Sequence, residues 1–291
     1  MEPGEYEALR ARAAGGGSAA AELLQLMRTQ KIRQPEVVLL HGSELLSRGC
    51  WKLGNDLWAI LEQVAQAAAE LDHAGWRDFC LEKLAAKFPS STRVERLKGQ
   101  CAEARGDWSE AKKIYEAILA AKPEDTLAQK RLIAMKKQKG LLQEAITDCN
   151  TYLETFSSDA EAWHELAELY LEAGSLQRSL FCFEELLVSN PRSMYYILVY
   201  AELAYSTGEF ELARKYFSLA AYLDGSNLRA LWGLLVCHMA LAEKDKTSEK
   251  MGQLKMYTIE RLKHAYKAQG TGKAGKMAML LLDTELVTGA Q

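Results

Sequence analysis

The chain has 291 residues, 48% of them hydrophobic, with 5 prolines, a net charge of −3 and an isoelectric point near 6.1. That much apolar material builds a folded core and excludes a disordered chain, while the charge balance lacks the strongly basic face that nucleic-acid binding demands. No run of about 18 apolar residues offers a bilayer span, and the opening MEPGEYEALR has no secretory apolar segment, so a soluble intracellular protein is expected.

Residues 1–34 carry few signals and are expected to be weakly ordered. An Ala/Arg-rich piece, Glu5 to Ala14, runs into Gly15-Gly16-Gly17-Ser18, which reads as a flexible joint, and Ala19 to Gln30 as a short helix. Pro35 suits the first turn of PEVVLLHGSELLSR, where Val38, Leu39, Leu45 and Leu46 form an apolar stripe. Residues 35–57 are therefore expected to be an N-terminal capping helix.

From Trp58 onward the sequence repeats with a period of 34 residues. The clearest unit is AEAWHELAELYLEAGSLQRSLFCFEELLVSNP, from Ala160 to Pro191. Trp163, Leu166, Ala167 and Tyr170 line one helix face. Small Ala167 and Ser179 let two backbones approach, Phe183 fills the space between them, and Pro191 stops the second helix. This order of large, small and aromatic positions is the tetratricopeptide signature. The frame extends without insertion across 58–91, 92–125, 126–159 and 194–227, with prolines at 89, 123 and 191 and Ser157 in the intervening slot. It departs at Arg77, where a small residue is expected, and its first helix in 92–125 (Leu97, Gly99, Ala102) is weak. A sixth unit begins with Leu231, Leu234, Leu235 and His238, then meets the polar run Glu243 to Lys250, a longer loop or helix extension. Met256, Ile259, Leu262, Ala265 and Tyr266 resume the stripe. After Gly270-Thr271-Gly272, Met277, Leu280, Leu281 and Leu286 suit a terminal helix covering the last repeat. The fold class is all-α, a tetratricopeptide superhelix. About six hairpins over 58–270 form one continuous solenoid, and 271–291 form a C-terminal capping helix and tail.

The sequence shows no seat for catalysis. Cys80 and Cys182 share one position of the frame, Cys101 and Cys237 another, and Cys149 falls beside the first pair. Cysteines that follow repeat phase, with no C-x-x-C pair, are packing residues. The five histidines, His41, His73, His164, His238 and His264, form no metal-spaced set, and no phosphate loop or nucleophile motif is present. Neither enzyme activity nor a cofactor or metal is expected.

What such hairpins offer is surface, lined by positions 2, 5, 9 and 12 of the first helices. Here these are Arg93, Arg96 and Gln100; Lys130 and Lys137; His164 and Glu168; Tyr195, Leu198, Glu202 and Tyr205; and Trp232, Val236 and Met239. The expected partner groove grades from basic to aromatic and apolar, as suits burial by a partner segment. In a plainer reading, Trp232 and Met239 lie under the inserted loop or the C-terminal helix. The run Lys130 to Lys139 is then a solvated face rather than a site for an acidic partner or lipid headgroups. Co-chaperone repeats that clamp a C-terminal carboxylate carry Lys and Asn at positions 5 and 9 of one repeat, and no repeat here does.

Four segments resemble the subunit-2 family of the endoplasmic reticulum membrane protein complex. They are KLGNDLWAILEQV (Lys52 to Val64), AEAWHELAELY (Ala160 to Tyr170), FCFEELLVSNP (Phe181 to Pro191) and ARKYFSLAAYLDGSNLRALWGL (Ala213 to Leu234). The resemblance runs from about Lys52 to the C-terminus, and the Gly15–Gly17 run departs from it. It implies a non-catalytic cytosolic scaffold, held on the cytoplasmic face of the endoplasmic reticulum in a hetero-oligomer. Its partners there are membrane-embedded subunits and a second soluble one, and the complex inserts tail-anchored and multipass proteins. Periodicity alone supports an intracellular interaction scaffold, and leaves open a free cytosolic adaptor for peptide segments.

Overall fold

The computed structural model describes residues 3–49, 53–244, 249–270 and 272–288, and every regular element among them is helical. Three helices lead: α1 (Pro3–Ala13), α2 (Ser18–Thr29) and α3 (Pro35–Gly49). Hairpins follow from α4 (Asp56–Glu70) with α5 (Ala74–Lys87), α6 (Thr92–Ala104) with α7 (Trp108–Ala121), and α8 (Thr126–Gln138) with α9 (Leu142–Thr155). Then come α10 (Ala160–Glu172) with α11 (Leu176–Ser189), α12 (Met194–Ser206) with α13 (Phe210–Leu223), α14 (Leu228–Lys244) with α15 (Glu249–Gln269), and a last helix, α16 (Lys273–Thr288). First helices begin at 92, 126, 160, 194 and 228 and second helices at 74, 108, 142, 176 and 210, so the 34-residue period is kept to the residue.

The period is kept because each tight turn is specified chemically. Gly106, Gly140, Gly174 and Gly208 hold φ between +71° and +86°, the left-handed region that glycine enters at no steric cost. One period earlier, Asp72 fills the slot with φ +52°. Close packing is equally exact at Gly99 and Gly233. A Cβ added at Gly99 would lie 2.7 Å from the Tyr115 ring, and one at Gly233 would lie 2.3 Å from Phe217.

The chain forms two compact units, Met1–Met135 and Lys136–Gln291, with the division inside α8. In the first, α4 packs on α3, α5 and α6, and α6 on α7. Leu23, Leu24, Met27, Ile60, Leu61 and Val64 are at most 1% exposed within it. In the second, each helix from α10 to α14 packs on its successor, and α14 also packs on α15. Phe183, Leu166, Leu169, Leu186, Ile197 and Leu231 are the large fully buried side chains there.

Four observations differ from the sequence reading. The first 34 residues, expected to be weakly ordered around a short helix over Ala19 to Gln30, hold that helix and a second one before it, and their Ala13, Ala20, Leu23 and Leu24 are fully buried. The glycine joint between them is a turn with Gly16 and Gly17 both at φ +72°. Trp163 is only half-buried; its Nε1 donates to the Ser157 carbonyl (2.8 Å) and its ring meets Phe181 edge-on at 6.1 Å. The small-residue slot at Arg77 holds a buried guanidinium, which donates to Asp78 at 3.0 Å and lies 3.7 Å from Asp72. In α16, Met277, Leu280 and Leu281 are 62–68% exposed and Leu282 is the buried residue, so the stripe expected to cover the last repeat faces outward. The Leu286 side chain, Cys50, and residues 245–248 of the polar run lie outside what the structure describes.

Candidate interaction surface

The expected partner-binding residues sit on first helices, and the structure joins most of them to the neighbouring first helix of their own unit. In the first unit, Arg93 opens α6 and donates to Glu62 on α4 at 2.7 Å. That hydrogen bond, then the carboxylate's charge, raises the guanidinium pKa further. Arg96 lies 3.8 Å from Asp125, beside the start of α8, and Arg131 of α8 lies 3.3 Å from Glu103 of α6. Glu103 also accepts the hydroxyl of fully buried Tyr115 at 2.5 Å. Burial, followed by this carboxylate contact, pushes the Tyr115 phenol well above its usual range. Lys130 is half-buried on α8 and is not without a partner.

In the second unit, Lys137 meets three carboxylates of α10: Glu165 at 2.8 Å, Glu168 at 3.3 Å and Glu172 at 3.7 Å. Burial pulls its pKa down, but the hydrogen bonds and charges of Glu165 and Glu168 outweigh burial and raise it. His164 shares a hydrogen bond with the Tyr195 hydroxyl (3.3 Å) and lies 3.7 Å from Glu168. Its ring also stands within 6.2 Å of Tyr195, Tyr196 and Phe183. Next along the face, Arg229 of α14 grips Glu202 of α12 with both ends of its fork, at 2.5 and 2.6 Å.

The apolar end is less open than the sequence implied. Leu198 is 5% exposed, a core residue. Trp232 donates its Nε1 to the Tyr266 hydroxyl of α15 at 2.9 Å, which gives it an internal partner. Tyr205 packs on Phe210 with ring centroids 5.0 Å apart, while Tyr195 and Val236 remain 49% and 38% exposed. The charge partners that the groove positions leave out are carboxylates, Glu62, Glu103 and Glu165, while Glu202 is itself one of those positions. A signal for them exists in the sequence. The Arg93, Arg131, Lys137 and Arg229 pairs span 31, 28, 28 and 27 residues, one period less a turn of helix or two.

Chemically, this is a surface of half-exposed aromatic rings among neutralised charges. Among the described residues no group of three or more His, Cys, Asp or Glu side chains could hold a metal ion, and no helix is long and apolar enough to cross a membrane. The five cysteines described, Cys80, Cys101, Cys149, Cys182 and Cys237, are all buried, and burial raises the thiol pKa of Cys101 to about 11 and of Cys182 and Cys237 to about 12. Thiols held that high are packing groups rather than nucleophiles.

Known proteins place the chain in a family. Residues 73–221 match the family model of the EMC2 TPR-like repeat domain. The chain is 39% identical to ER membrane protein complex subunit 2-A of Xenopus laevis over 254 residues, 85% of this chain and 86% of that one. It is 34% identical to ER membrane protein complex subunit 2 of Dictyostelium discoideum, over 58% of this chain and 53% of that one. Among solved structures, the C-terminal part of a TPR repeat-containing protein from Cytophaga hutchinsonii is similar with a TM-score of 0.57 at 14% identity, over 88% of this chain and 96% of that one, a likeness of fold alone. A repeat register kept to the residue, together with identity of this extent, shows that the chain belongs to the EMC2 family of tetratricopeptide-repeat proteins.

Proposed function

We propose that the chain is a non-catalytic scaffold subunit of an endoplasmic reticulum membrane protein complex, held peripherally on the cytoplasmic face of that membrane by its partner subunits. The observation that carries this reading is the 39% identity across 85% of the chain with a relative named as subunit 2 of that complex. The surface chemistry supports it. Tyr195, 49% exposed and close to the His164 ring, and Val236, 38% exposed, present apolar area of the kind that protein interfaces bury. The partners are membrane-embedded and soluble subunits of the same assembly, and its work is the insertion of tail-anchored and multipass proteins.

Fractionation of cells tests this reading. The chain is expected in the membrane pellet, retained in buffer of moderate salt and released by alkaline carbonate. A chain found wholly in the supernatant is instead a free adaptor for peptide segments, the second reading that tetratricopeptide hairpins permit.

A further inference from the structure

The first unit carries a cleft that none of the sequence motifs marks. It has a volume of about 420 Å³ and lies between the α2–α3 connection and α4, floored by Met27, Val38 and Ala67. Four cations line it, Arg28, Lys31, Arg33 and Arg93, against two carboxylates, Glu62 and Glu70. Both carboxylates are already engaged, Glu62 by Arg93 at 2.7 Å and Glu70 by Arg33 at 3.2 Å. Arg28 reaches only the neutral amide oxygen of Gln63, at 3.3 Å. Lys31 is exposed, on a left-handed backbone with φ +54°. Two cations thus stand at the rim with no carboxylate partner among the described residues.

A second cleft of about 350 Å³ adjoins the first and shares Ala59, Glu62 and Arg93 with it. Its apolar wall is Trp58, Leu84, Phe88, Val94 and Leu97. Trp58 and Phe88 meet edge to face with centroids 5.3 Å apart, and Phe88 is 38% exposed. The two clefts place uncompensated positive charge beside an open aromatic wall.

We propose that this double cleft docks a short acidic segment of a partner polypeptide, its carboxylates on Arg28 and Lys31 and an apolar side chain against Trp58 and Phe88. Charge complementarity commits the occupant to acidic side chains, because the carboxylates native to the site are spent. The aromatic wall demands an apolar anchor a few residues away, which a free phosphate or a bare headgroup lacks. The inference deepens the scaffold reading by naming the chemistry of one partner segment.

Fluorescence anisotropy on the purified full chain tests it. The probe is a dye-labelled octapeptide with four consecutive acidic residues followed by leucine and phenylalanine. Saturable binding is expected, at least about tenfold weaker for the amide counterpart in which every carboxylate becomes Asn or Gln. Lys31→Glu and Arg28→Gln are each expected to weaken the acidic peptide by about fivefold or more, and Phe88→Ser to weaken both peptides while helicity by circular dichroism is unchanged. Equal binding of the two peptides, no saturation, or indifference to both Lys31→Glu and Arg28→Gln overturns the proposal. So does co-sedimentation with phosphatidylserine vesicles that Lys31→Glu abolishes while the peptide stays unbound, since the site then reads lipid. The assay uses the chain without its partners, so its failure leaves membrane retention in cells untouched, and the two readings fail separately.

Discussion

Glycines at the hairpin turns show how a single residue fixes the fold. With Gly174 at φ +71°, an L side chain there costs roughly 1–2 kcal/mol, so Gly174→Ala is expected to lower the unfolding free energy by that much, read as a lower denaturant midpoint at unchanged slope. A neutral change would place the strain elsewhere. Buried polar residues make sharper cases. Tyr115→Phe removes the 2.5 Å bond to Glu103 and leaves that carboxylate to Arg131 alone; a loss of about 1.5–3 kcal/mol is expected for a bond to a charged group. His238 is 4% exposed and shares a hydrogen bond with Thr258 at 3.2 Å. Burial, then the charge of Arg214, lowers its pKa below the ordinary 6.5, although Glu211 opposes the shift. Below that value the unfolded chain binds a proton that the folded chain refuses, so stability falls as pH drops from about 7 toward 5.5, by at most about 1.4 kcal/mol per pH unit from this group. In His238→Gln the acid-side slope is expected to flatten. An unchanged difference between pH 7 and 5.5 assigns the slope to other groups.

Helices and hairpins were the most legible level, for a physical reason. Turn glycines at 106, 140, 174 and 208 and small-aromatic pairs such as Ser179 with Phe183 encode local geometry in residues 34 apart, and the structure keeps that register. The first-helix face was half legible. Its positions follow from helical periodicity, but whether Arg93 or Lys137 is free depends on a carboxylate one hairpin away, which no local pattern encodes. Before residue 35 the helix over 19–30 was legible, but α1 and the burial of both helices were not, because their apolar residues are alanines and leucines in a short segment beside glycines, where packing decides. For Trp163 the signature gives the face but not how far Phe181 and the Ser157 carbonyl leave the ring open to solvent. A direct comparison follows. Phe183→Ala, at 1% exposure, is expected to cost about 3–5 kcal/mol and half-buried Trp163→Ala about 2 kcal/mol, measured by urea denaturation. The reverse order would mean that the tryptophan, not the phenylalanine, anchors the hairpin. Overpacking is the mirror case. Gly233→Ala drives a methyl within 2.3 Å of the Phe217 ring and is expected to cost about 1–3 kcal/mol.

At the scale of the molecule, the repeat architecture spends its buried groups on packing and leaves its chemistry on the faces. The first-helix side carries rings and ion pairs, and α16 presents Met277, Leu280 and Leu281 outward. Such a chain acts by what it holds. The central claim, that this surface belongs to a membrane-bound assembly, is tested most directly by purifying the tagged chain from detergent-solubilised membranes and weighing what comes with it. The account predicts integral-membrane proteins recovered in stoichiometric amounts, with recovery reduced when Tyr195 and Tyr205 are both changed to Ala in a chain of unchanged helicity. Recovery of the chain by itself, as a soluble monomer, would contradict it.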